Sequence, residues 1–217
     1  IADGVSQGGR GREAAQTTVM ALLADVFATP ETWETTVAFE RLIAAQNAWL
    51  ADHNRRRPPG AEGGTALTTL TALALRGQTW TVAHVGDTRA WLCRAAANAG
   101  DAPELRQLTQ DHAFEHEDLR SRLTRAIGLD DAVRVDHLQG DLQIGDCFVL
   151  TSDGVHGRLK PAQLAVLALQ GTAAQAADAL VAAALQAGSA DNCSALVLRV
   201  TGLDTRELRD DSAGLRR

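Results

Sequence analysis

The sequence predicts an α+β fold. Three observations lead there. Two helical stretches precede any clear strand after the opening residues, a Gly77-Gln78 pair separates two strand-like runs at hairpin spacing, and two alanine- and leucine-rich helices stand before the last strand. Helices, then antiparallel strands, then helices, then a strand is a layered order, unlike the strict alternation of a doubly wound parallel sheet.

Taken in order, Ile1-Ala2 reads as the tail of a strand already under way, so the chain reads as cut at its front. Gly8-Gly9-Arg10-Gly11 is a loop. A helix over Arg12 to Phe27 follows, with Ala14, Ala15, Val19, Leu22, Leu23 and Val26 on one side. Thr29-Pro30-Glu31 breaks it and opens a second helix to about His53, Pro30 suiting a first turn. Arg55-Arg56-Arg57 then reads as a solvated helix end, since cations suit a C-terminus. Thr65 to Arg76 and Thr79 to Val85 form a hairpin in which His84 is a sheet residue without chemical duty. Ala90 to Arg94 and Leu105 to Leu108 are strands, with Ala95 to Asp101 a loop. Glu115 to Ala126 is expected to be a helix capped by Gly128. Val133 to Leu138 and Cys147 to Thr151 are strands with Gly140 to Asp146 turning between them. Pro161 to Leu169 and Thr172 to Ala187 are helices, and Cys193 to Val200 is the last strand. No repeat and no interior linker appears, so residues 1–202 are expected to be one domain, with 203–217 a polar tail or linker.

The totals fit that reading. The chain has 217 residues, 45% of them hydrophobic and 22% charged, an ordinary globular balance. A net charge of -6 argues against a nucleic-acid surface, although bound metal ions let an acidic protein take an anionic substrate. The three cysteines are an odd number, widely spaced and without Cys-x-x-Cys, which points to buried thiols in a reducing cytoplasm. No apolar run approaches the ~20 residues of a membrane span, and no signal peptide is visible.

Two motifs mislead. Gly9-Arg10-Gly11-Arg12-Glu13-Ala14 fits G-x-G-x-x-A, but a dinucleotide fingerprint needs a strand running directly into its first glycine, and an Asp-Gly turn intervenes. His112-Ala113-Phe114-Glu115-His116 matches H-x-x-E-H, which on a continuous helix would set two zinc ligands on one face. Thr109-Gln110-Asp111 is strand-end chemistry, which starts the helix too late for that.

The carboxylates are more informative. Asp3-Gly4 and Ser152-Asp153-Gly154 each end an apolar run, and Asp191-Asn192 stands just before the last strand. A strand ending in Asp-Gly aims a carboxylate off the sheet edge while the glycine turns the backbone. With Asp87 as a fourth, these are hard oxygen donors that suit Mg²⁺ or Mn²⁺ rather than zinc. Two such ions sharing a water lower its pKa and clamp a phosphoryl oxygen. From spacing alone the site stays open, because acids at turns are common.

The motifs Ala2-Asp3-Gly4, Gly63-Gly64-Thr65-Ala66, Val85-Gly86-Asp87-Thr88-Arg89, Leu108-Thr109-Gln110-Asp111-His112, Leu123-Thr124-Arg125-Ala126-Ile127-Gly128, Thr151-Ser152-Asp153-Gly154 and Asp191-Asn192 come in one order over about residues 1 to 200. In that order the chain resembles the metal-dependent, type 2C protein serine/threonine phosphatases. The Gly11-Arg12-Glu13-Ala14-Ala15 helix start is most similar to bacterial members in which a protein kinase domain follows in the same chain.

The resemblance implies a four-layer α-β-β-α sandwich of two antiparallel sheets, here lacking its first strands. It implies two Mg²⁺ or Mn²⁺ ions, with a weaker third in some members. Asp3 would bridge both ions with the Gly4 carbonyl on one, Asp153 and Asp191 would hold the second, and Asp87 with Asp153 the third. Asp3, Asp153 and Asp191 would carry catalysis through a metal-activated water. Thr65, Arg89, Asp111 and Asn192 would support them, Arg89 by tying its turn to the sheet. The family also carries a phosphate-binding Arg and an acid that would lie upstream of Ile1. Val5 stands where some members have a His, and Gly157 where some have an acid. Arg10 and Arg12 are candidate phosphate contacts in their place.

The expected function is hydrolysis of phosphoserine and phosphothreonine on proteins, in the cytoplasm, without nucleic-acid or membrane partners. The alternatives are a non-catalytic phosphatase-like regulatory domain, which an upstream Arg and acid would argue against, and a zinc peptidase at His112 and His116, which zinc at one per chain would favour.

Overall fold

A computed structural model of the chain describes residues 1–5, 9–58, 64–95, 103–114 and 122–203. Seven strands in the described residues form two antiparallel sheets. The first runs in the order β1 (Leu70–Arg76), β2 (Thr79–Val85), β5 (Asp136–Asp141). The second runs β4 (Glu104–Gln107), β3 (Arg89–Arg94), β6 (Cys147–Thr151), β7 (Ala195–Arg199). Helices α1 (Gly11–Val26) and α2 (Thr35–Arg55) cover the first sheet. One-turn α3 (Asp153–His156), α4 (Pro161–Ala168) and α5 (Ala173–Gln186) lie against the second.

Strand periodicity sorts the core into three layers, because successive side chains point to opposite faces. On β2, Ala83 and Val85 meet Phe39, Ile43 and Leu50 under the helices, while Trp80 and Val82 face the second sheet. On β6, Cys147 and Val149 meet Leu164, Leu180 and Ala184, while Phe148 and Leu150 face the first sheet. Trp80 and Phe148 touch across the middle, with ring centroids 5.9 Å apart. Fully burying a side chain such as Phe148 contributes about 1.5–3 kcal/mol, so the seam between the sheets is a true core. The result is the expected α-β-β-α layering.

Four expectations shift. The second helix starts at Thr35, not at Pro30; Pro30 to Trp33 is a turn whose Glu31 and Trp33 carbonyls accept from Arg76. The first strand of the hairpin starts at Leu70, because Thr68 is bridged to Gly4 on one side and Ile127 on the other. The helix expected over 115–126 is absent among the described residues of that stretch, 122–126. Residues 115–121 lie outside the described residues, and 122–124 run back along 112–114 through Phe114 N–H to the Arg122 carbonyl (3.1 Å) and Thr124 N–H to the His112 carbonyl (2.8 Å). Gly128 is therefore no helix cap; its N–H donates to Asn47 Oδ1. Finally, β5 is Asp136–Asp141 rather than 133–138 and takes Gly140 from the expected turn. Trp80 lies over Gly140, where a Cβ would come within 2.6 Å of the indole. The loop expected over 95–101 falls, beyond Ala95, outside the described residues, and so does the tail beyond Leu203.

Candidate metal centre

Asp3 is fixed through its backbone. Ile1 to Gly4 lies antiparallel to Thr68–Thr71, with Thr71 N–H to the Ile1 carbonyl at 2.9 Å and Thr69 N–H to the Asp3 carbonyl at 2.8 Å. Asp3 N–H donates to Thr69 Oγ1 (2.9 Å), and the Thr68 hydroxyl donates to the Asp3 carbonyl (2.9 Å). Gly4 packs directly on the first turn of α1: a Cβ there would stand 2.1 Å from the Gly11 carbonyl carbon.

Asp153 opens α3 just beyond β6. Ser152 laces this corner to the loop before β7: its hydroxyl donates to the Asn192 carbonyl and accepts from Ser194 N–H, both at 3.0 Å. Ser189 Oγ donates to the Gly154 carbonyl (2.8 Å), and Gly154 has no room for a side chain because Asn192 O would lie 2.4 Å from it. Asp191 and Asn192 are exposed on that loop, and Asp191 Oδ1 accepts the Asn192 N–H at 2.7 Å. Asp87 sits on the turn that carries the chain from β2 in the first sheet to β3 in the second.

The four carboxylates share one neighbourhood. Asp3 is pushed up to about 7, first by burial, then by the charge and hydrogen bond of Asp153, then by Asp191 and Asp87. Asp87 is pushed up to about 6, by burial and by Asp153 and Asp111. Asp153 Oδ1 is buried without a hydrogen-bond partner among the described residues. Like charges gathered this way, with a lone oxygen among them, repel one another, and a positive charge between them would relieve that repulsion. Among the described residues no three His, Cys, Asp or Glu side chains converge tightly enough to enclose an ion alone. The donors that do gather are carboxylate oxygens, which suit Mg²⁺ or Mn²⁺ rather than zinc.

The supporting positions fall as follows. Arg89 grips Asp111 with two bonds, 2.9 and 2.6 Å, which ties the Asp87 turn to the segment after β4. Thr65 is exposed ahead of Ala66, and Asn192 acts through its backbone. Arg10 is engaged by Glu13 (2.8 Å) and His53 (2.7 Å) rather than free for phosphate, and Arg12 is exposed on α1. His112 spends both ring nitrogens, one on Gly86 N–H (3.0 Å) and one on Asp136 (3.0 Å), so it has no lone pair for zinc; His116 lies outside the described residues. Thr68, Thr69 and Ser152 were not expected as organisers. Ser152 had a signal in the sequence, a hydroxyl directly before Asp153-Gly154; Thr68 and Thr69 stand some 65 positions from Asp3, and only the fold brings them beside it.

A family profile described as Protein phosphatase 2C matches residues 28–144. The serine/threonine phosphatase stp of Listeria innocua serovar 6a is 29% identical over 147 residues, covering 60% of this chain and 56% of that protein; the chain thus spans about half the length of the curated relatives it matches. Among solved structures, the Mycobacterium tuberculosis serine/threonine phosphatase PstP/Ppp superposes with a TM-score of 0.77 at 27% identity, over 93% of this chain and 87% of that one. The catalytic domain of the serine threonine protein phosphatase PstP in complex with 2 manganese ions superposes at 0.75 and 28%, over 93% and 86%.

Proposed function

This chain belongs to the protein phosphatase 2C family, and from that premise we propose that it hydrolyses phosphoserine and phosphothreonine on proteins, using two Mg²⁺ or Mn²⁺ ions. Asp3 and the Gly4 carbonyl would serve one ion, Asp3, Asp153 and Asp191 the other, and Asp87 with Asp153 a weaker third. The observation that carries the reading is that Asp3 is buried and crowded by Asp153, Asp191 and Asp87, which together lift it to about 7, beside an unpartnered Asp153 oxygen. The manganese in the PstP structure supports the choice of metal.

When bound, such ions supply a positive field for the phosphoryl oxygens and a water of lowered pKa. The chain's own part is to keep mutually repelling carboxylates in place. Thr68 and Thr69 hold Asp3 by its backbone, Ser152 and Ser189 join the Asp153 and Asp191 corners, and Arg89 with Asp111 braces the Asp87 turn. The phosphate arrives on a protein side chain placed there by a protein kinase, and a kinase domain in the same full-length chain is the partner we infer for it.

The test is hydrolysis of p-nitrophenyl phosphate and of a phosphothreonine peptide with Mn²⁺ and with EDTA. Turnover is expected with Mn²⁺ and not with EDTA. Asp153→Asn is expected to keep the circular dichroism of the parent and lose on the order of 100-fold or more in rate. Near-normal metal-dependent turnover by Asp153→Asn would overturn the site. A folded chain without any metal-dependent turnover would leave the non-catalytic reading.

A further inference from the structure

We propose that His112 is the positioning residue of the Asp87 turn, acting through one imidazole tautomer that Asp136 selects. The proposal rests on the reading above that Asp87 belongs to the metal centre. Gly86, just before Asp87, is held twice by His112. Its carbonyl accepts the His112 N–H at 2.7 Å, and its own N–H donates to His112 Nδ1 at 3.0 Å. These bonds fix the two peptide planes on either side of the Gly86 Cα, and so fix φ and ψ of the most adaptable residue type. Gly86 sits at φ +109°, and the Thr69 side chain fills the space where a Cβ would stand. The direction of Asp87 is set by that lock.

The donor at Gly86 settles the tautomer. An N–H can meet only a lone pair, so Nδ1 is bare and Nε2 carries the proton, which it donates to Asp136 Oδ2 at 3.0 Å. Asp136 is held in turn by Arg125, whose Nη1 donates to Oδ1 at 2.7 Å. His84 backs the ring at 4.7 Å, with its own nitrogens engaged by Thr71 and the Gln110 carbonyl. Burial holds His112 below the usual histidine range, consistent with a neutral ring.

The lock has work to do. Asp153 and Asp111 both repel Asp87, and a turn hinged on an unrestrained glycine would let the carboxylate swing away. His112 and Asp136 oppose that without touching an ion, as partners behind metal ligands do elsewhere.

The experiment has two readouts, neither of which needs turnover. The ¹⁵N spectrum of the histidine-labelled, unsubstituted chain is expected to show His112 with bare Nδ1 and protonated Nε2 at neutral pH; the other tautomer, or an imidazolium, would overturn the proposal. It decides whether or not any variant folds. Next, His112→Asn, whose amide oxygen can take the place of Nδ1, is compared with His112→Leu, which offers no acceptor. The Gly86 amide is expected to exchange slowly in the parent and in His112→Asn and at least about 10-fold faster in His112→Leu, with the weakest Mn²⁺ affinity falling by a similar factor in the leucine variant alone. Equal behaviour of the two variants in amide exchange would sink the positioning role. Restored exchange in His112→Asn with no change of Mn²⁺ affinity in either variant would instead sink the assignment of Asp87 to the metal centre, and with it the link from His112 to the site.

Discussion

Above neutral pH the Asp3 carboxylate is ionised in surroundings that oppose it: burial first, then Asp153, Asp191 and Asp87. Its value is raised from 3.8 to about 7, so in the metal-free chain its contribution to stability is fully present below 3.8 and lost as pH climbs through about 7. Asp3→Asn removes that loss. In EDTA the variant is expected to melt above the parent, and the gap is expected to widen between about pH 5 and about pH 8. His84 and His156, both held down to about 4 by burial, titrate alike in the two proteins and cancel in the difference. A gap that does not change with pH would mean that Asp3 is not crowded. The same residue shows what was legible. Asp3, Asp87 and Asp153 could be picked out because each ends or follows an apolar run beside a glycine. Thr69 could not, because the worth of its hydroxyl depends on which segment lies alongside it.

At the level of elements, the strand end at Gly4 and the first turn of α1 approach too closely for any side chain. In Gly4→Ala the new methyl would meet the backbone of Gly11 and Arg12, at 2.1 and 2.7 Å, and neither can rotate away. The urea midpoint is expected to fall by the equivalent of at least about 3 kcal/mol with little change in slope. Gly77→Ala is the control: it meets nothing within 4 Å and carries only the strain of φ +58°, about 1–2 kcal/mol. If the two substitutions cost the same, backbone contact is not what seats α1. Elements that depend on their own residues were legible: β2 by its alternation, β6 by its apolar run, and α5 by the reciprocal Thr172 and Gln175 cap. Those that depend on a distant partner were not. Gly140 pairs with Trp80 of β2 and lies under its indole, and the turn from Pro30 to Trp33 is bonded through its Glu31 and Trp33 carbonyls to Arg76, 43 or more positions away.

For the whole molecule, the four carboxylates come from both halves of the sandwich. Asp3 is bonded to the segment entering β1 and Asp87 follows β2, while Asp153 follows β6 and Asp191 precedes β7. A cation held among them ties one sheet to the other at the edge of the Trp80 and Phe148 core. Such a ligand binds the folded chain alone and stabilises it by about 2.7 kcal/mol at 100 times its dissociation constant. In a domain of this size that is roughly 5–10 °C of melting temperature. The shift on adding Mn²⁺ is expected to be larger at about pH 8 than at about pH 6, because Asp3 must release its proton to bind. Hydrogen exchange should then slow in both sheets together, in β1 and β2 as well as β6 and β7. Protection confined to the second sheet would place the ion on Asp153 and Asp191 alone and leave Asp3 outside the site.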